Sequence, residues 1–339
     1  MLYLAPDASP YIRIGNTLSR VDTIAPLNGK MTMDFVNLLI NRSTVKVEKP
    51  VMESRFNYES KEAGNFGVLA TRGHNGYMLS ISPVYVEIPE INSLDLPDII
   101  TDLAHIQSGL ILVIGKNNAG KSTTVASFVD FINKNYNKRI VVMEEPPQYL
   151  HKDWLSIVKQ PFVRMSDILH TTIAFDKTIR DASVLAIDGF PMYETMRLAL
   201  LASGKGLWVI ASVGSNGGVS ESLRLMLECF PENDRKEAKQ TLSTTLKAMF
   251  WQTLLSDGTA VMPVFEILLN DPIISAMIIN EKYHLLRPTM AAGSRRGMKT
   301  ITQALAEVTD KGLIGKGALE KFRDDTYSYY VNTVKEAYY

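Results

Sequence analysis

A glycine-rich turn between an apolar run and a helix-like run constrains the fold of this chain more than any other feature. Residues 109–115 read GLILVIG, a continuous apolar stretch of strand length. The turn that follows, residues 115–122, reads GKNNAGKS and fits the pattern G-x-x-x-x-G-K-[ST]. The apolar residues after the turn recur at the spacing of one helix face: Val125, Phe128, Val129 and Ile132. This order of strand, turn and helix predicts a phosphate-binding loop.

The residue types in this loop suit phosphate chemistry. Gly115 and Gly120 allow backbone N–H groups to curve around phosphate oxygens, and Lys121 places a positive charge beside the β- and γ-phosphates. The Ser122 hydroxyl is a ligand for Mg²⁺, and the N-terminus of the next helix adds partial positive charge. With Asn118 and Thr123 these residues form the predicted cofactor-binding set. We therefore expect ATP and Mg²⁺ as the bound groups.

Hydrolysis at such a loop also needs a carboxylate at the end of a neighbouring strand. Two apolar runs end in one: residues 140–145 end in Glu144 and Glu145, and residues 184–188 end in Asp188. The alternative for each is a solvated or capping carboxylate at a strand end. We predict that Glu144 or Glu145 polarises water and that Asp188, with Ser122, holds the metal.

Apolar runs of strand length recur in the second part of the chain and indicate an α/β fold. They cover residues 109–114, 140–144, 184–188 and 208–212, with helical stretches between them. Continuous apolar strands separated by helices are typical of a parallel sheet with both faces covered. After Glu237 the pattern is mostly helical, with one predicted strand at residues 261–268.

The first part of the chain has a different pattern. Its short β-rich patches cover residues 11–14, 66–71, 77–81 and 84–88, with a turn at 73–76 and a helix at 31–40. We therefore predict a small α+β domain at residues 1–97, a linker and short helix at 98–108, and an ATPase core at 109–339. A length of 339 residues also favours two domains.

Composition excludes several classes of function. Thirty-six Lys and Arg residues balance 36 Asp and Glu residues, which argues against a nucleic-acid coat or a polybasic anchor but leaves a local basic patch open. Cys229 is the only cysteine, so an intrachain disulfide and a multi-cysteine zinc site are excluded. No stretch of about 18 apolar residues predicts a spanning helix. We expect a cytoplasmic protein that meets the membrane only through partners.

Seven segments in the same order resemble the type IV pilus and secretion ATPases, most closely the pilus-retraction branch of PilT- and PilU-like motors. The resemblance covers nearly the whole chain. The segments are GLILVIGKNNAGKSTT (109–124), MEEPPQYLH (143–151), ETMRLAL (194–200), CFP (229–231), LSTTLKAMFWQTL (242–254), FEILL (265–269) and GMKTITQAL (297–305).

The resemblance implies a specific architecture and set of partners. It implies a PAS-like amino-terminal domain before a RecA-like P-loop core with a mostly helical carboxyl-terminal part, and nucleotide between the two domains. It implies a homohexameric ring at the cytoplasmic base of a type IV pilus, where ATP hydrolysis drives pilus retraction and twitching motility. The implied partners are an inner-membrane platform protein and a paralogous motor ATPase, without nucleic acid.

The departures from the family pattern concern catalysis. Gly189 stands where the family has its Walker B glutamate, so either Asp188 takes over from one residue back or the role is empty. Gly214-Ser215-Asn216 stands where the family has a histidine box. Where the family has its catalytic arginines, the only arginine nearby is Arg72, a few residues further on, and a solvated turn arginine is the favoured alternative for it.

Three hypotheses therefore stay open at the level of sequence. The first is an ATP-hydrolysing retraction motor, and the second is a nucleotide-binding accessory subunit with little hydrolysis. The third is a type II or type IV secretion ATPase. The sequence does not decide whether ATP is hydrolysed at a useful rate, which partner is bound, or how many subunits form the ring.

Overall fold

The computed structural model describes residues 1–14, 17–42, 52–94, 99–145, 147–161, 163, 168–256 and 261–311. The chain divides into two compact units. Unit 1 comprises residues 1–88 and 146–151, and unit 2 comprises residues 89–145 and 152–339. The segment MEEPPQYLH (143–151) is thus divided between the two units, because residues 146–151 belong to unit 1. The predicted domain boundaries at residues 97 and 108 stay a prediction.

Unit 1 is an antiparallel sheet with one helix. Its strand order is β3-β2-β1-β6-β5-β4. A buried cluster that includes Val36, Phe56 and Leu79 joins the helix to the sheet. The elements are β1 (Leu2–Leu4), β2 (Tyr11–Ile14), β3 (Thr17–Arg20), α1 (Gly29–Asn41), β4 (Glu53–Ser60), β5 (Gly64–Arg72) and β6 (Tyr77–Val84).

Unit 1 departs from the prediction at its strands. β1, β3 and β4 have no counterpart among the predicted strands, because β1 is only three residues long and β3 and β4 are edge strands with few apolar residues. The predicted strand at residues 84–88 is wrong. Pro83 pairs with Phe66 inside β6, so the strand continues to Val84 and ends there.

Unit 2 is an α/β domain built on a seven-stranded sheet of order β13-β12-β7-β11-β10-β8-β9. Its elements before residue 190 are a 3₁₀ turn (Ile91–Leu94), α2 (Ile99–Leu103), β7 (Gly109–Gly115), α3 (Lys121–Asn135), β8 (Arg139–Glu144), β9 (Ile157–Lys159), α4 (Ile168–Thr178) and β10 (Val184–Asp188). Those after it are α5 (Met192–Gly204), β11 (Trp208–Gly214), α6 (Val219–Glu228), α7 (Glu232–Thr245), β12 (Leu246–Ser256), β13 (Val261–Leu269), α8 (Pro272–Ile279), α9 (Leu286–Ala292), α10 (Ile301–Asp310) and 3₁₀ turns at Tyr283–Leu285 and Ser294–Arg296.

The predicted parallel sheet is confirmed for its central strands. β7, β8, β10 and β11 pair in parallel and are almost entirely buried, as their continuous apolar runs indicate. Two core clusters cover the opposite faces of this sheet. The predicted inward face of α3 is also correct, since Val125, Phe128, Val129 and Ile132 are all buried.

The carboxyl-terminal part of unit 2 differs from the prediction. Residues 246–256 form the long strand β12, which pairs in parallel with β7 and antiparallel with β13. The mostly helical interpretation after Glu237 is therefore wrong for this segment. β12 is covered on both faces, so its apolar residues do not alternate with polar ones and give no clear strand period.

Candidate functional site

The predicted phosphate loop lies between β7 and α3 of unit 2. Gly120 caps α3 with a left-handed backbone (φ 84°), and Asn118 is also left-handed (φ 63°). Thr124 donates its backbone N–H to the Gly120 carbonyl at 3.0 Å and thereby starts the helix. Lys121, Ser122 and Thr123 consequently form the first turn of α3, at the helix end that carries partial positive charge. This arrangement is suited to an anion.

Lys121 is held back against its own loop. Its ammonium group donates to the Lys116 carbonyl at 2.8 Å. Burial lowers the pKa of Lys121, and the Asp188 carboxylate partly opposes this shift. A desolvated ammonium that is only partly neutralised is well placed to gain from a phosphate group.

The carboxylates predicted at the strand ends lie on neighbouring strands. Asp188 and Glu144 are opposite each other in the parallel ladder of β10 and β8, and the Glu145 N–H points to the Asp188 carbonyl at 3.4 Å. All three side chains belong to buried residues. The Ser212 hydroxyl on β11 donates to the Asp188 carboxylate. The fold thus brings Asp188 to Lys121 and Glu144 to Asp188, at the carboxyl ends of the strands.

Gly189 occupies the position of the missing family glutamate with a backbone that disfavours any side chain. Its φ is +79°, and a Cβ there would lie 2.5 Å from the Glu145 carbonyl oxygen. The close approach of the β8 and β10 ends therefore requires glycine. The structure gives a physical reason for the departure seen in the sequence.

The segment that replaces the histidine box lies beside the phosphate loop. Ser215 donates its N–H to the Gly115 carbonyl at 3.1 Å. The Ser222 hydroxyl oxygen lies 2.8 Å from the Ser215 hydroxyl oxygen and 2.9 Å from the Gly217 carbonyl oxygen. Ser215 is buried, so its contacts with α6 are shielded from water.

A buried carboxylate anchors the far end of this segment. Glu266 on β13 accepts the Val219 N–H at the start of α6 at 2.8 Å. Burial raises the pKa of Glu266, and backbone N–H groups of Val219 and Ile301 together with the Arg287 charge oppose the shift. Glu266 therefore fixes the starts of α6 and α10 to the sheet.

Gln252 is a site residue that the sequence prediction missed. Its side-chain amide donates to the Ala119 carbonyl at 2.7 Å and accepts from the Thr124 hydroxyl at 2.8 Å. The side chain is 2% exposed, and a Cβ on Gly120 would lie 2.8 Å from its nitrogen. One amide thus holds both ends of the turn from Ala119 to Thr124. The signal in the sequence was the glutamine within the LSTTLKAMFWQTL resemblance.

Arg72 belongs to unit 1, away from these residues in the chain. It is exposed, closes β5, and donates its N–H to the Met52 carbonyl at 2.7 Å. Its catalytic role stays a prediction. In the described part of the chain, His, Cys, Asp and Glu do not form a cluster of three or more suited to a metal ion. A divalent cation here would therefore depend on Ser122, Asp188 and phosphate oxygens.

The Gln252 clamp leads to a prediction about nucleotide affinity. Gln252→Met keeps the side-chain length but removes both hydrogen bonds, so we expect ADP to bind about tenfold more weakly. Thr124→Val removes one end of the same clamp. The double variant should therefore be less impaired than the sum of the single variants predicts. Fluorescent-nucleotide titration measures the affinities.

Thr253→Val is the matched control, because Thr253 is the next residue on β12 and is 9% exposed. It should leave the ADP affinity unchanged. Thermal unfolding of each nucleotide-free variant separates a loss of stability from a loss of affinity. Unchanged ADP affinity in a folded Gln252→Met protein would contradict a role for the clamp.

Lys121 leads to a prediction about stability and pH. Its pKa is lower in the folded chain than the value of about 10.4 in an unfolded one, so between these values the unfolded chain binds more protons. Stability attributable to this group therefore rises with pH in that window. Lys121→Met should raise the melting temperature of the nucleotide-free protein at neutral pH, with the gain shrinking towards pH ~10. Lys236→Met, on the exposed face of α7, should change neither. A lower melting temperature for Lys121→Met would contradict this prediction.

Comparison with known proteins gives matches of nearly full length. No protein-family profile matches the chain. The chain is 28% identical over 316 residues to the type IV pilus ATPase PilU of Pseudomonas aeruginosa, which covers 92% of this chain and 82% of that protein. It is 23% identical over 321 residues to the type IV pilus retraction ATPase PilT of the same organism, with 93% and 91% covered.

The structural comparison agrees with the sequence comparison. The crystal structure of the pilus retraction motor PilT with bound ADP superimposes with a TM-score of 0.76 at 25% identity. The match covers 94% of this chain and 91% of PilT. The chain therefore has the mixed α/β fold with an amino-terminal domain and a RecA-like core that the sequence predicted. In sequence and in fold, the chain is similar to the type IV pilus ATPases PilU and PilT.

Proposed function

We propose that this chain is the ATP-binding motor subunit of a type IV pilus machine and that it drives pilus retraction by hydrolysing ATP. The observation that carries the proposal is the phosphate loop. Its lysine, its clamp and its strand-end carboxylates all lie within unit 2. The similarity to PilU and PilT over more than nine-tenths of the chain supports a type IV pilus as the machine that this subunit drives.

The residues of the loop have distinct parts in this function. The N–H groups of the first turn of α3 and the Lys121 ammonium bind the β- and γ-phosphates. When Mg²⁺ is bound, the Ser122 hydroxyl and the Asp188 carboxylate hold it, and it neutralises charge on the phosphates. Ser212 orients the Asp188 carboxylate through the hydrogen bond to one of its oxygens.

The attacking water requires a carboxylate near the strand ends. Glu144 and Glu145 are the candidates, because Glu144 ends β8 opposite Asp188, Glu145 follows it, and both residues are buried. Arg72 of unit 1 is the candidate for the arginine that stabilises charge on the phosphates.

The assembly is part of the same proposal. Subunits form a homohexameric ring that engages an inner-membrane platform protein, and a paralogous motor ATPase acts with it. Within the described part of the chain, none of the helices has the length and apolar character needed to span a bilayer. The link to the membrane proposed here runs through those partners.

ATP turnover by the purified chain tests the proposal directly. We expect Mg²⁺-dependent phosphate release, with Lys121→Ala lowering the rate by about 10²-fold or more, the scale for losing one preorganised group that stabilises transition-state charge. Lys236→Ala on α7 is the matched control and should retain the wild-type rate. Each variant is then expressed in cells as the only copy of the chain, and pilus retraction is measured. This measurement tests whether ATP turnover by the chain drives retraction.

A wild-type rate of ATP turnover equal to that of Lys121→Ala would contradict the proposed motor function. Retained ADP binding together with that result would instead support the accessory subunit, which Gly189 at the glutamate position favours. In that case retraction would persist in cells with the Lys121→Ala chain.

Gly189 leads to a second prediction. Gly189→Glu restores the family residue, yet we expect it to lower stability by about 1–3 kcal/mol without raising turnover. The reason is the positive φ and the clash with the Glu145 carbonyl. Gly189→Ala is the matched control, since it adds the same Cβ without the carboxylate. A large rise in turnover for Gly189→Glu alone would show that the site accepts a side chain here.

A further inference from the structure

A turn in unit 2 displays apolar side chains although its backbone is firmly held. We call residues 152–157, just before and at the start of the edge strand β9, the Trp154 turn. Asn133 of α3 donates its side-chain amide to the Lys152 carbonyl at 2.6 Å, and its side-chain oxygen accepts the Trp154 N–H at 3.2 Å. The Asn133 carbonyl accepts the N–H groups of Leu155 and Ser156 at 3.0 and 3.2 Å.

Two further residues complete the support of this turn. The Asp153 carboxylate accepts the Val158 N–H at 2.7 Å. The Ser156 hydroxyl donates to the Tyr136 carbonyl at 2.5 Å and accepts the Lys138 N–H at 3.0 Å. The conformation is thus set by hydrogen bonds of Asn133, Asp153 and Ser156. The three apolar side chains of the turn contribute none of these bonds.

Those three apolar side chains are unusually exposed for their size. Trp154 is 59% exposed, Leu155 is 60% exposed and Ile157 is 53% exposed. Neighbouring apolar residues on one ordered turn form a patch, whereas single exposed apolar residues carry no such meaning. A rigid backbone lowers the entropic cost of using this patch for binding.

Lysines surround the patch. The Lys134 ammonium lies 5.9 Å from the centre of the Trp154 ring, and Lys138 is bonded through its backbone to Ser156. Lys152 belongs to the turn, and Lys159 lies on the same exposed face of β9 as Ile157.

The nearby carboxylates are already engaged. Asp153 is bonded to the Val158 N–H, and Asp130 pairs with Lys134 at 2.8 Å. Lys134, Lys138, Lys152 and Lys159 outnumber these two carboxylates, so the patch is apolar at its centre and carries a net positive charge at its border, although the whole chain has a formal net charge of zero.

We infer that the Trp154 turn binds the surface of an anionic lipid membrane. Tryptophan and leucine favour the interfacial region of a bilayer, and lysines at the border attract anionic headgroups while their stems cover apolar surface. This inference goes beyond the proposed function, because it concerns a direct contact with lipid and requires no hydrolysis.

The size of the patch favours a membrane over a protein partner. At these exposures the three side chains offer roughly 350 Å², well below the ~800 Å² that each partner contributes to a standard protein interface. A membrane contact needs only a few inserted apolar groups when basic residues add electrostatic attraction.

Tryptophan fluorescence makes this contact directly observable. The chain has 3 Trp residues, and Trp208 and Trp251 are 2% and 0% exposed, so Trp154 alone reports the surface. The full chain is mixed with vesicles of phosphatidylcholine alone or with about one third phosphatidylglycerol. We expect a blue shift and quenching by brominated lipid only on the anionic vesicles, together with binding that is about tenfold tighter than on neutral ones.

Substitutions separate the two components of binding. Trp154→Ser with Leu155→Ser should release the chain from anionic vesicles in flotation, and Lys152→Gln with Lys159→Gln should weaken binding and its salt dependence. Ile24→Ser, at a 47% exposed position of unit 1, and Lys236→Gln on α7 are the matched controls and should bind like wild type. Thermal unfolding checks that each variant is folded.

Two results would overturn the inference. The first is flotation with anionic vesicles that the folded Trp154→Ser, Leu155→Ser variant retains in full. The second is a Trp154 blue shift that depends on protein concentration without vesicles, which would assign the turn to an interface between copies of the chain. Neither result depends on ATP turnover, so the proposed motor function stands or falls separately.

Discussion

The hydrogen bonds of the Gln252 side chain connect the phosphate loop to the rest of the sheet. One buried amide holds the Ala119 carbonyl and the Thr124 hydroxyl, so the turn from strand to helix cannot relax independently of β12. β12 in turn pairs with both β7 and β13. The geometry of the loop that carries Lys121 and the first turn of α3 therefore depends on a strand more than 130 residues further along the chain.

A second constraint acts at the other side of the site. The ends of β8 and β10 approach so closely that Gly189 must lack a side chain, while Asp188 is buried and bonded to Ser212. Close strand ends and a carboxylate at position 188 belong to one arrangement. Gly189, Asp188 and Ser212 are therefore mutually compatible in this local structure.

The prediction from sequence was accurate for elements whose pattern of apolar residues directly reflects their burial. The central strands and the inward face of α3 were predicted correctly, since continuous apolar runs and helical spacing reflect full burial. It failed for β12, where burial on both faces removes the alternation, and for the edge strands β3 and β4 of unit 1, where few residues are buried. Gln252 was missed because a lone glutamine in an apolar run has no local signature of a loop contact.

The sequence by itself determined that this protein has a phosphate-binding loop. Glycines at 115 and 120 and the lysine and serine at 121 and 122 specify a phosphate loop wherever they follow a strand and open a helix. Only the tertiary structure decided which distant residues support that loop and which surfaces are left open. The hydrogen bonds of Gln252 and Asn133 join separate segments of the chain, and the exposure of Trp154 depends on how those segments pack. The packing of the folded chain therefore decides these contacts and this exposure, and the spacing of residues in the sequence does not reveal them.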